Sequence, residues 1–290
     1  MSEEIVSIAQ QKENMMITTG LNWKVKTEGV MTSSGIVIPD RIALVREDTQ
    51  KVLGIHTEAY VPYQNDELLE LLFRIAQQTG LIVHTGGTFK GGEKVWFQLK
   101  SHDYKIGHDT IQSYISGFNS FDGRTSLAFG NSSVTVSCQN TFWRGYRQVE
   151  TRLRHSATMK PRIDEILHKL DLLMVEERDG IHEIEKMGNY NLTPEIREMI
   201  TRYVFDLKKE DTLDVNTSTI STNKIHKLER FNLDVDNEIN GKGQNLWGLF
   251  SGITRYTTHS MKKGDNSESK MFGRTGAIER TAYQKLVEMV

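Results

Sequence analysis

The densest chemistry in the chain lies in Phe142-Trp143-Arg144-Gly145-Tyr146-Arg147-Gln148-Val149-Glu150-Thr151-Arg152-Leu153-Arg154-His155. Guanidinium groups fork onto phosphate oxygens, and an aromatic ring among them offers a face on which a base can stack. Together these residue types suit a nucleic-acid strand. The spacing predicts a helix over 139–155: at about 100° per residue Phe142, Tyr146, Val149 and Leu153 share one stripe. Arg144, Arg147, Arg152, Arg154 and His155 then spread over the other side, with Trp143 beside them. Asn140 near the helix start could donate to a phosphate or cap the helix. Lys160 and Arg162 extend the basic run, so that seven Lys+Arg stand against three acids between Thr141 and Leu170. The alternative is a solvated face whose arginines pair with Glu150, Asp164 and later acids. Twelve acids against six bases from Asp171 to Asp214 could supply that cover or meet a neighbouring subunit. A second basic stretch, eight against three from Gly241 to Lys285, holds Lys262, Lys263, Lys270 and Arg274 in a Gly/Ser-rich setting. That composition fits either a loop that orders on a polyanion or an ordinary solubilising loop.

Other constellations offer different chemistry. His102-Asp103 and His108-Asp109, with His84, could form a nitrogen and oxygen metal site such as a hydrolase needs, although their spacing matches no metal signature. His and Asp between strands also serve turns. His84-Thr85-Gly86-Gly87 and Lys90-Gly91-Gly92 lack the terminal Gly-Lys-Ser/Thr of a phosphate-binding loop, and a hairpin needing positive φ explains them better. No nucleotide or other cofactor is expected. Cys138 reads as a small buried side chain, since no base and orienting acid accompany it.

The elements that must position these residues follow from pattern. A polar arm covers residues 1–20. Short β-type pieces run from Val25 to Leu53, split at Ser33-Ser34-Gly35 and Pro39-Asp40. Asn65, Asp66 and Glu67 open a helix whose buried side is Leu68, Leu69, Leu71, Leu72, Phe73 and Ile75, with Gly80 at its stop. Leu81–Phe89 and Lys94–Lys100 form a hairpin, followed by Thr110–Phe118, Arg124–Phe129 and Ser133–Ser137. About five strands with short loops predict an antiparallel sheet backed by helices, an α+β fold with a helical C-terminal portion. Helices are expected over 161–177, stopped by Gly180, and over 194–209. A linker at 211–223 separates them from a tail with an apolar helix at Leu246–Tyr256, a loop over 262–276 and a short final helix. The expected divisions are therefore 1–20, 21–160, 161–210, 211–223 and 224–290.

Composition narrows the classes. Thirty-six Lys+Arg against 38 Asp+Glu leave a net charge of −2, so nucleic-acid contact must come from a local patch. A single Cys excludes a disulfide framework and a Cys-based zinc cage within one chain. No apolar run reaches about 18 residues, and the acidic, polar opening does not resemble a signal peptide, so a cytoplasmic protein with no membrane partner is expected.

Several separated segments carry a resemblance. Arg46-Glu47-Asp48 with Leu53-Gly54, Tyr60-Val61-Pro62-Tyr63-Gln64-Asn65, His84-Thr85-Gly86-Gly87, Asn119-Ser120-Phe121-Asp122-Gly123, Cys138-Gln139-Asn140-Thr141 and Arg154-His155-Ser156 occur in this order. Over roughly residues 20–260 the chain resembles a phage- and plasmid-encoded family of unknown function. Phe121 stands where many members carry His, so no catalytic role is assigned to that turn. A remote analogy to phage single-strand annealing proteins of the RecT and Rad type implies a bacterial host cell, single-stranded DNA as partner, the annealed duplex as product, and a ring or filament of identical subunits. The reading is of a non-hydrolytic DNA-binding protein. A metal-dependent nuclease, or a counter-defence protein that binds a host protein through its acidic helices, is the alternative.

Overall fold

The structure is a computed structural model that describes residues 7–106, 109–135, 140–145, 152–168, 170–211, 220–261 and 267–290. Helix α1 (Ile8–Thr18) precedes three strands, β1 (Val25–Met31), β2 (Val37–Arg46) and β3 (Val52–Thr57), which form an antiparallel sheet in sequence order. Helix α2 (Asn65–Thr79) follows. A second, six-stranded sheet has the order β4 (Ile82–Phe89), β5 (Lys94–Ile106), β6 (Asp109–Ser120), β7 (Leu127–Thr135), β8 (Asn140–Gly145), with β9 (Arg152–Leu153) also on β7. The rest is helical: α3 (Ile163–His168), α4 (Leu170–Asn189), α5 (Pro194–Phe205), α6 (Thr222–Lys242), α7 (Leu246–Arg255), α8 (Ser267–Phe272) and α9 (Arg274–Val287). Antiparallel sheets with C-terminal helices make the fold α+β, as the pattern of short strands and turns predicts. No described helix is long and apolar enough to cross a membrane.

Contacts divide the chain into two compact units: residues 1–101, 114–131 and 146–174, and residues 102–113, 132–145 and 175–290. The first unit is built on α2. Its N-terminus is a capping box in which the Gln64 N–H donates to Glu67 Oε2 at 2.8 Å, one residue earlier than the expected Asn65 cap. Asn65 is instead buried, and its amide donates to the Leu21 and Trp23 carbonyls at 3.1 and 3.3 Å. Leu68, Leu69, Leu71, Leu72 and Ile75 meet Leu44 and Leu53 from the first sheet and Phe97, Leu99 and Phe129 from the second in one core. The second unit packs α4, α5, α6, α7 and α9 around Phe231, Leu249, Phe250 and Ile253. Gly252 lets α7 lie against α6, since a Cβ there would come within 2.8 Å of Val235 Cγ2.

Three local expectations are corrected. Residues 140–145 and 152–153 are strands, not parts of a helix over 139–155. A short run of Thr, Phe and Trp fits either period, and Gly145 is poor in a helix interior; pairing with β7 decides it. Gly180 does not stop the preceding helix but lies within α4, where Tyr283 of α9 donates to its carbonyl at 3.3 Å. The loop expected over 262–276 is helical from Ser267, and Lys270 is buried on α8 beside Glu279 at 2.6 Å. Gly86 and Gly87 sit within β4, inside the expected strand Leu81–Phe89, and the Trp96 ring fills the space over Gly87, 2.9 Å from where its Cβ would stand. The turn falls at Lys90, Gly91 and Gly92, all with positive φ. Helix α6 has no counterpart in the sequence reading, whose linker at 211–223 lies largely outside the described residues.

Candidate nucleic-acid interface

The proposed phosphate-binding residues separate into different environments. Asn140, Trp143 and Arg144 lie on β8, the last strand of the six-stranded sheet, within the second unit and beside α7, α8 and α9. Their side chains, with Arg147, Lys262, Lys263 and Cys138, lie outside the described residues. Lys160 pairs with Glu67, and Arg162 pairs with Glu165 at 3.2 Å, the intramolecular cover that the alternative reading requires. Arg152 is half-buried on β9 opposite Ala128. Arg154, just beyond it, is exposed and its guanidinium meets no partner among the described residues.

His155 is not at the surface at all. Its ring stacks on Tyr60 with centroids 4.9 Å apart, and Tyr60 stacks on His56 at 4.0 Å. The Tyr60 hydroxyl donates to the Ser120 carbonyl at 2.7 Å, and His56 Nε2 bonds the Phe121 carbonyl at 2.7 Å. Burial pushes the His155 pKa down to about 4; the backbone at Val61 and Thr125 pulls the other way, yet neither ring nitrogen makes a well-formed hydrogen bond. Burial, helped by the charge of Asp122, raises the Tyr60 hydroxyl and keeps it a donor. Next to this stack Lys94 and Asp122 form a buried ion pair at 3.3 Å. Asn119 donates to the Tyr63 carbonyl at 2.6 Å, and Phe121 lies in the core against Trp23, whose ring also carries the Arg46 guanidinium at 4.3 Å.

Four of the separated segments that carry the resemblance, those at 46–54, 60–65, 119–123 and 154–156, are thus knotted together in the first unit. Tyr60, Asn119 and His155 hold these segments to one another. A family model described as a domain of unknown function (DUF932) matches residues 52–283, more than three quarters of the chain. The chain belongs to the DUF932 family. No curated protein and no solved structure matches it.

Within the DUF932 region, no described group of three or more His, Cys, Asp or Glu side chains could hold a metal ion. His84 packs against Tyr114 at 5.5 Å, and His102 lies edge-on to Tyr104 at 6.1 Å in the other unit; His108 and the Asp109 side chain lie outside the described residues. Arg274 is the first residue of α9 and lines a cleft together with Lys224 and Lys227 of α6. The sequence reading missed those two lysines. Their signal was available: a helix start at Ser221 with lysines in and just after its first turn and no acid there.

Proposed function

We propose that this protein binds single-stranded DNA in a phage or other mobile element and promotes strand annealing without nucleotide hydrolysis. The observation that carries this reading is the position of Phe142-Trp143-Arg144 on β8, which among the described residues ends the order of its sheet next to β7. Sheets that present aromatic and Arg residues bind single strands by stacking bases and pairing with phosphates, with little demand on sequence. Moving these residues from a helix to a strand changes the platform, not its chemistry. The sequence carries no Gly-Lys-Ser/Thr loop, which fits an activity driven by base pairing alone. Annealing of this kind requires many subunits holding bases outward, so a ring or filament of identical chains belongs to the same proposal.

Electrophoretic shifts with single- and double-stranded oligonucleotides at two salt concentrations test the binding, and a strand-annealing time course tests the activity. Arg144→Ala should reduce the salt slope of single-strand binding by about 0.7. Trp143→Ala should weaken binding by about 1–3 kcal/mol. Unchanged affinity and slope in both variants would remove β8 from the interface.

A further inference from the structure

We propose that the cleft formed by the end of α5 and the starts of α6 and α9 is a binding site for a phosphate ester. This goes beyond the reading of β8, because such a site would take a free phosphate ester whether or not a DNA strand is bound elsewhere.

Three cations line the cleft, Lys224, Lys227 and Arg274, and no acid is among the described residues that line it. Lys227 and Arg274 are exposed and neither meets a hydrogen-bond or ion-pair partner among the described residues. Lys224 donates only to a backbone carbonyl, that of Asp206, at 3.2 Å. Elsewhere the protein pairs its cations readily: Lys12 with Glu70, Lys24 with Asp66, Arg74 with Asp164, Arg197 with Asp236. Unpaired positive charges facing one small space repel one another, and an anion placed among them removes the repulsion.

The helix starts reinforce this. Helix α6 is 21 residues long, begins at the cleft without a side-chain cap, and has no acid in its first turn. Lys224 takes the third position of that turn, where a positive charge opposes the helix dipole. Helix α9 likewise begins without a side-chain cap and with Arg274 as its first residue. By contrast α2 opens on Asp66 and Glu67, and α5 on Glu195, whose carboxyl is held low by its bond to Thr193. Two helix starts without a side-chain cap, each with a cation in its first turn, have the chemistry of an anion site.

A further group points the same way. Tyr256 lines the cleft and is only 3% exposed, and its hydroxyl meets no hydrogen-bond partner among the described residues. A phenol is protonated at neutral pH, and burial with the nearby charge of Asp234 raises it further. It can therefore donate to a group bound in the cleft. Its ring packs edge-on against Phe231 at 5.4 Å and beside Phe205, so the floor of the cleft is apolar and preformed. At about 240 Å³ the space falls below the roughly 300–1,000 Å³ of pockets for drug-sized ligands. A phosphoryl group and the sugar it esterifies match that size and that mixture of cationic rim, hydroxyl donor and apolar floor better than a dinucleotide does.

Calorimetric titration of the full chain with inorganic phosphate and with thymidine 5′-monophosphate tests the site. Both should bind, the monophosphate more tightly. Lys227→Gln with Arg274→Gln should weaken both by at least about tenfold, each lost contact being charge-assisted. Tyr256→Phe, which keeps the ring and its packing, should weaken them about five- to tenfold with an unchanged melting temperature. Trp143→Ala and Arg144→Ala should leave both affinities unchanged, so the cleft and β8 can fail separately. Competition by an oligonucleotide whose terminal phosphates have been removed assigns the source: displacement identifies strand phosphates as the natural occupant, and no displacement identifies a free ester. No binding of either probe at millimolar concentration, or equal binding by the Lys227→Gln/Arg274→Gln variant, would overturn the proposal.

Discussion

At the scale of residues, Tyr60, Asn119, Phe121 and His155 are architectural. Tyr60 is clamped between two histidines while its hydroxyl ties the turn at Ser120 to the segment before α2. His155 adds apolar surface to this stack in its neutral form only, which makes its burial a source of acid sensitivity. Its folded pKa, about 4, lies below its ordinary value of 6.5, so between these pH values the unfolded chain binds the extra proton and stability falls as pH falls. About 2 kcal/mol should be lost between pH 7.5 and pH 5 from this group. His155→Phe keeps a stacking ring without the titration, so its melting temperature should vary less over that range than that of the parent. Equal pH dependence in the two proteins would show that acid acts elsewhere. The sequence shows His155 beside Arg154 and thus groups it with the cations. Nothing local distinguishes the exposed neighbour from the buried one, because the distinction is made by Tyr60, nearly a hundred positions away.

At the scale of elements, the hydrophobic period identifies α2, α5 and α7 and the hairpin of β4 and β5. It fails where two periods fit equally, as in residues 139–155, and where a glycine lies inside a helix instead of ending it, as at Gly180. Within α7, Gly252 has a packing role. Any side chain there must push into Val235 on α6, so Gly252→Val should destabilise the protein by about 1–3 kcal/mol or more, measured by chemical denaturation. Gly241, where a Cβ would have open space, should accept Ala within about 1 kcal/mol. The basic tail shows the complementary error. Lys270 reads as part of a flexible cationic loop, yet it is buried with Glu279, and the Thr257 hydroxyl donates to the same carboxylate. Lys270→Met leaves that carboxylate uncompensated and should cost about 3–5 kcal/mol, whereas Lys270→Met with Glu279→Leu should recover much of the loss. A thermal denaturation cycle of the single and double variants measures the coupling.

At the scale of the whole molecule, net charge and topology set the terms. A net charge of −2 means that no general field draws the chain to a polyanion, so affinity must arise from a few aligned cations and be correspondingly salt-sensitive. The two units interleave along the chain: the second takes residues 102–113 and 132–145 as well as everything from Val175 onward. Ile111, fully buried in the helical core, comes from the first of these insertions. A fragment beginning at Val175 therefore lacks part of its own core and should fail to show a cooperative thermal transition by circular dichroism. A sharp transition in that fragment would mean that the helices suffice without the inserted strands.

By itself the sequence determines the α+β class, the cores of the regular helices and strands, and a chain whose positive charge is useful only locally. Those properties are summed over neighbours along the chain. Tertiary structure alone decides which cations are neutralised, since among the described residues Lys160 and Arg162 find carboxylates while Arg154 and Arg274 do not, and it alone assembles Lys224, Lys227, Tyr256 and Arg274 around one cleft. Pairing, burial and convergence depend on distances between residues far apart in the chain, and a periodicity read along the backbone carries no information about them.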